Sequence, residues 1–137
     1  MARICFDMDQ TLVGFRKDGT LALNRKLVRV ADKFRREGHT LILWTFGNRR
    51  WWREVARQYP VLRQLFHEVY SKDEQPGHRT QTPHEFAGRR VTYAEDVKDI
   101  RLVRGDVLID NDPAHYNWAK RHGMESRYIL VPSFGVA

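Results

Sequence analysis

One cysteine stands among 137 residues, and a single thiol excludes an internal disulfide. Cys5 lies in the apolar stretch Ile4-Cys5-Phe6, where it reads as a packing residue in a reducing compartment rather than as a reactive thiol. Long apolar runs are missing as well, so no segment reaches the length needed to cross a bilayer and no membrane partner is expected. The opening residues lack a basic segment followed by an apolar stretch and a small-residue cleavage site, which predicts a cytoplasmic rather than a secreted protein. His39, His67, His78, His84, His115 and His122 show no metal-ligand spacing such as two histidines four apart on one helix. No Ser-His-Asp or Cys-His arrangement is supported either. Repeats, low-complexity tracts and an interdomain linker are absent, and the length predicts a single domain over residues 1–137.

Acidic residues are in deficit: 24 Lys and Arg stand against 17 Asp and Glu, a formal charge of +7. Such a surface either attracts nucleic acid, phosphoprotein or another polyanion, or is simply a solvated basic face. Against this background the placement of the few acids matters. Arg3-Ile4-Cys5-Phe6 reads as a short strand that opens onto Asp7-Met8-Asp9-Gln10-Thr11-Leu12-Val13. Carboxylates at a strand end cost free energy unless a cation or hydrogen-bond donors face them. Residues i and i+2 of an extended segment share a face, so Asp7 and Asp9 converge and are able to hold a cation such as Mg²⁺. A calcium loop over Asp7–Asp18 would need glycine where Leu12 stands, and a helix rather than a strand ahead of it.

Lys17-Asp18-Gly19-Thr20 is a turn signal, predicting a small flap over residues 12–24. Asn24 caps a helical stripe of Leu27, Val30, Ala31 and Phe34 that ends at Gly38. Leu41-Ile42-Leu43-Trp44-Thr45 is too uniformly apolar for a half-exposed strand and reads as one covered on both faces. A second helix carries Trp52, Val55, Ala56 and Tyr59 on its apolar side, with Arg49, Arg50, Arg53 and Arg57 on the rest. Trp51 and Trp52 invite a base-stacking role, or else one packs into the core and the other lies half exposed. After a short helix over 61–66 and a strand over 68–71, the stretch 72–94 reads as a polar excursion ending in a brief strand over Val91–Ala94. Glu95–Arg104 is predicted helical, Asp106–Ile109 a strand, Pro113–His122 a helix closed by Gly123, and Arg127–Val131 the last strand.

Alternating strands and helices predict an α/β fold with a mostly parallel sheet, whose ligands bind at the carboxyl ends of the strands. Asp7 and Asp9, Thr45 and Asp110 all fall at such ends. Taken singly, Thr45 is an ordinary strand-end threonine, Lys98 an exposed lysine, and Asp110 or Asp112 an N-cap for the helix at Pro113.

Together these residues resemble the haloacid dehalogenase (HAD) superfamily of phosphatases. Asp7-Met8-Asp9-Gln10-Thr11 is similar to its first motif, Leu41–Thr45 to the second, Lys98 to the third, and Ile109-Asp110-Asn111-Asp112-Pro113 to the fourth. Trp44-Thr45-Phe46-Gly47, Leu65-Phe66-His67-Glu68 and Val97-Lys98-Asp99-Ile100 look like the FCP/SCP-like (NLI-interacting-factor-like) branch, with Gln10 and Asp112 departing from its commoner residues. The resemblance implies a HAD-like Rossmannoid three-layer sandwich without a large cap domain. It also implies an Mg²⁺-dependent phosphomonoesterase that works through an aspartyl-phosphate. Asp7 would be the nucleophile and Asp9 the general acid and base. Mg²⁺ would be held by Asp7, Asp110 and the carbonyl of Asp9. Thr45, the amide of Phe46 and Lys98 would bind the phosphoryl group, and Asn111 would orient a water. The expected substrate is a phosphoprotein, a nucleotide or a polynucleotide end. The rival expectation is a catalytically silent HAD-like module that binds nucleic acid or a phosphorylated partner. A phosphate-accepting receiver fits less well, since its acceptor aspartate would sit where Thr45 stands.

Overall fold

The computed structural model describes residues 1–74, 84–86, 89–91 and 97–135. Its frame is a five-stranded sheet of β1 (Arg3–Phe6), β4 (Thr40–Trp44), β5 (Glu68–Tyr70), β8 (Val107–Asp110) and β9 (Tyr128–Leu130). The spatial order is β5-β4-β1-β8-β9 and every pairing in this sheet is parallel. β1 is therefore the middle strand. The chain runs from it to one side through β4 and β5, then returns to build β8 and β9 on the other.

Parallel strands covered on both faces must be apolar at every position. The alternation still sorts their side chains by face. Ile4, Phe6, Leu41, Leu43 and Ile109 join Ala31, Val55, Ala56, Leu62 and Leu65 in one core. Those helical residues come from α1 (Arg25–Arg36), α2 (Arg49–Gln58) and α3 (Pro60–Leu65). Cys5, Ile42, Trp44 and Leu108 face the other way, onto Ile100, Leu102, Val103, Tyr128 and Ala119 of α4 (Pro113–Arg121). Two separate cores on one sheet give the expected three layers.

The caps are largely those expected. Asn24 Oδ1 accepts from the Leu27 amide at 3.3 Å, and Asp112 Oδ1 from Ala114 at 2.9 Å. Gly38 and Gly123 follow their helices at φ +92° and +71°, a region that glycine enters without a Cβ penalty. The flap is a hairpin of β2 (Val13–Phe15) and β3 (Leu21–Leu23), turned by Asp18 accepting from the Thr20 amide and hydroxyl. Most of the polar excursion lies outside the described residues. Within it, β6 (His84–Phe86) pairs antiparallel with β7 (Arg89–Val91), so the strand expected over Val91–Ala94 sits earlier, and residues 92–94 are outside the described residues.

The helix expected over Glu95–Arg104 is corrected. Residues 97–99 are irregular and only Ile100–Val103 turn, as a 3-10 helix; residues 95–96 lie outside the described residues. The main chain there is bonded to side chains from elsewhere. The Lys98 amide donates to His115 Nδ1 at 3.1 Å, the Ile100 amide to the Tyr128 hydroxyl at 3.0 Å, and that hydroxyl to the Lys98 carbonyl at 2.7 Å. Groups so engaged are lost to an i to i+4 ladder.

Cys5 is fully buried in the middle strand, and burial pushes its thiol up to about 12. A thiol-specific reagent at pH 8 should therefore modify no cysteine in the native protein and one per chain after denaturation; rapid labelling of the native protein would contradict this packing.

Candidate active site

The register brings three strand ends side by side. Phe6 lies opposite Leu43 on one flank and Ile109 on the other, so Asp7, Thr45 and Asp110 emerge next to one another. The crevice between β1 and β8 lies where strand order reverses, the place where open α/β sheets bind ligands. Its volume is about 400 Å³, and Asp7, Asp9, Thr45, Phe46, Lys98, Asp110 and Asn111 all line it. Every residue that the resemblance assigns to the site thus lines one crevice.

The turn after β1 shapes the entrance. The Met8 carbonyl accepts from the Thr11, Leu12 and Val13 amides at 2.9–3.2 Å, and Gln10 adopts a left-handed φ of +61°. A non-glycine residue in that region is held there by its surroundings. Here the Gln10 amide donates to the Val13 carbonyl and its own carbonyl accepts from Phe134 at 2.6 Å.

Lys98 is 2 % exposed, and its Nζ donates to Asp7 Oδ1 and Asp110 Oδ2, each at 2.8 Å. Nζ also sits 5.3 Å from the centre of the Phe46 ring. Burial works against the ammonium charge, but the two carboxylates outweigh it and raise the Lys98 pKa. Burial likewise pushes the Asp7 carboxyl up, with Lys98 pulling it back. The Thr11 hydroxyl donates to Asp7 Oδ2 at 2.8 Å and fixes the outer oxygen.

Three partners were not foreseen from sequence. Trp51 Nε1 donates to Asp9 Oδ1 at 2.7 Å. Asp9 is raised by burial and held partly back by its bonds to Trp51 and Thr45. His115 supports Lys98 from beneath through the amide bond described above, and burial and the Lys98 charge lower its pKa to about 4. Ser133, beyond β9, accepts from Asn111 Nδ2 at 2.9 Å. Trp51 stood out only as half of a Trp-Trp pair, and none of the three contacts carries a sequence signal, because each acts across a fold-dependent distance.

The residues fit a hard divalent cation. Asp7, Asp9, Asp110 and Asp112 face a single ammonium, an excess of negative charge that would repel a phosphate dianion. Asn111 Nδ2 donates to Ser133 Oγ and Gln10 Oε1, so its Oδ1 turns inward, 2.9 Å from Asp7 Oδ2 and 3.2 Å from the Asp9 carbonyl. Swapping the amide would give Asp7 a donor but set two oxygens, Asn111 Oδ1 and Gln10 Oε1, against each other at 3.2 Å. In either orientation Asp7 Oδ2 and the Asp9 carbonyl lie 2.9 and 3.2 Å from one atom of the Asn111 amide, so hard oxygens gather there, a set suited to Mg²⁺ rather than to thiolate- or imidazole-seeking metals. Among the described residues no three Asp, Glu, His or Cys side chains form a cage by themselves.

Comparison with known proteins adds a family and a fold. A family model described as "Protein of unknown function (DUF705)" matches residues 2–102. The chain belongs to this family. The matched region of this DUF705 member takes in Asp7, Asp9, Thr45 and Lys98 and ends before Asp110. No curated protein matches. Among solved structures, it is similar to a variant of the fission yeast RNA polymerase II CTD phosphatase Fcp1 bound to beryllium fluoride, with a TM-score of 0.60 and 16% identity. That likeness covers 97% of this chain and 42% of the Fcp1 chain, so the DUF705 member spans less than half of its structural neighbour. The fold is HAD-like α/β, with its mostly parallel sheet. No helix among the described residues is long and apolar enough to cross a membrane.

His115 supplies a pH test. Its folded pKa of about 4 lies below the ordinary 6.5, so the unfolded chain takes up the proton first as pH falls. Stability should decline between pH 6.5 and 4, by up to about 3 kcal/mol from this group. In His115→Gln, whose amide oxygen still accepts from Lys98, urea denaturation at pH 7 and 4.5 should show a smaller loss than wild type. An equal loss would mean His115 is not held neutral.

Proposed function

We propose that the protein is an Mg²⁺-dependent phosphomonoesterase of the FCP/SCP-like kind, working through an aspartyl-phosphate on a phosphorylated macromolecule or nucleotide-type substrate. The observation that carries this reading is the meeting of Asp7, Asp9, Lys98 and Asp110 in one crevice at adjacent strand ends. The HAD-like fold shared with a CTD phosphatase, and the small β2–β3 hairpin, support it.

Asp7, Asp110 and the Asp9 carbonyl would hold Mg²⁺, which when bound would supply the charge neutralisation that lets a carboxylate approach a phosphate. The chain's own groups do the rest. An oxygen of Asp7 attacks phosphorus while the bond to the leaving oxygen breaks, and Asp9 gives its proton to that oxygen. Burial keeps the Asp9 carboxyl raised, which favours the protonated form the first step needs. Asp9 then takes a proton from water as the water oxygen attacks phosphorus, and Asp7 is released with inorganic phosphate. Lys98 stabilises charge on the phosphoryl oxygens, joined by the Thr45 hydroxyl and the Phe46 amide. Asn111 orients the attacking water. A lone buried thiol suits action in a reducing cytoplasm.

Purified protein should hydrolyse a generic aryl phosphate with Mg²⁺ and lose that activity in EDTA. Asp7→Asn should lower turnover by about 10³-fold or more, which corresponds to about 4 kcal/mol of barrier. Asp9→Asn should slow aryl esters with poor leaving groups more than those with good ones. Full activity in Asp7→Asn, or turnover indifferent to EDTA, would overturn the mechanism.

A further inference from the structure

Beside the crevice runs a second groove of about 510 Å³, and Trp51 is the wall between the two. The indole edge gives its N–H to Asp9 on the crevice side. One face of the ring is covered by Phe15 of the flap, with centroids 5.7 Å apart and planes 22° from parallel, and the ring also borders the groove. Phe15 itself remains 52% exposed. Gly47, which lines the crevice, packs closely here: a Cβ on it would lie 3.0 Å from Trp51 and 3.3 Å from Asp9 Oδ2.

The groove is lined by Arg50, Arg53 and Arg57 of α2, with Glu54 as its single acid. Glu54 is taken up by Arg57 at 2.6 and 3.0 Å. Arg50 and Arg53 are exposed, one helical turn apart, and make no ion pair among the described residues. A stacked aromatic pair, with Phe15 exposed and Trp51 half-buried, beside two uncommitted guanidinium groups is a composition that suits single-stranded nucleic acid, with bases on the rings and phosphates on the arginines. An acidic peptide would use the arginines but has no need of a flat aromatic platform.

We propose that this groove binds a single-stranded polynucleotide and leads its terminal phosphate into the crevice. The inference rests on the phosphatase reading only for the fate of that phosphate. The backbone phosphates lie along Arg50 and Arg53, and a base near the end stacks against Phe15 and Trp51. The net charge of +7 favours the same polyanion.

The test separates binding from turnover. Short fluorescein-labelled DNA and RNA strands, with a phosphate at the unlabelled 5′ or 3′ end, are titrated in EDTA and followed by anisotropy. Arg50→Ala combined with Arg53→Ala should weaken binding at least tenfold and make the log–log salt slope shallower by about 1.4, two single-strand contacts' worth. With Mg²⁺, phosphate release from the strand should fall at least tenfold in kcat/KM, while aryl phosphate turnover stays within twofold and thermal unfolding is unchanged. Phe15→Ala should weaken binding without changing the salt slope. Binding indifferent to the double variant, or binding of an acidic phosphopeptide in preference to the strand, would overturn the proposal. Arginine-dependent binding with no phosphate release from either the strand or aryl phosphate would uphold the groove and overturn the phosphatase reading. Asp7-dependent aryl phosphate hydrolysis without strand binding would do the reverse.

Discussion

Lys98 sits between two carboxylates that would otherwise repel each other inside the protein. Asp7 ends the middle strand and Asp110 ends its neighbour, and both are almost completely buried. Without the ammonium, the ends of β1 and β8 would carry uncompensated buried charge, a situation that costs about 3–5 kcal/mol when one partner of such a pair is lost. The ion triad therefore does two things at once. It permits acids at the floor of the crevice, and it fixes their oxygens in place before any ligand arrives. Preorganisation of this kind is what electrostatic catalysis requires.

Much of this was legible in the sequence because it depends on local pattern. The uniform apolar runs of Leu41–Trp44 and Val107–Ile109 mark strands covered on both faces, and the acids and Thr45 come directly after such runs. In a parallel sheet the strand ends share one side, so convergence follows from topology. The sides of the helices and their caps at Asn24 and Asp112 follow from equally local rules. Lys98 was placed in the site by its likeness to a motif, but its backbone was not helical. Nothing near residue 98 says that Tyr128 and His115 claim its carbonyl and amide.

The same limit explains Trp51. As half of a Trp-Trp pair, it was open to a packing role or a stacking role, and Trp52 is the one that enters the core. That Trp51 donates to a carboxylate 42 residues away depends on how the flap, the turn at Gln10 and the start of α2 meet. Ser133 belongs to the same class. It reaches Asn111 only because β9 pairs beside β8 and the chain then crosses the turn at Gln10.

The long reach of the Lys98 bridge also bears on how the protein is made. Asp7 leaves the ribosome first, and its ammonium partner follows 91 residues later. At roughly 5–20 residues per second, that interval lasts about 5–18 seconds. During it the middle strand has no β8 to lie against, and its acids have no counter-charge. The nascent chain thus carries a half-built sheet with an open flank, and chaperone capture at that stage would guard an edge that the finished molecule never shows.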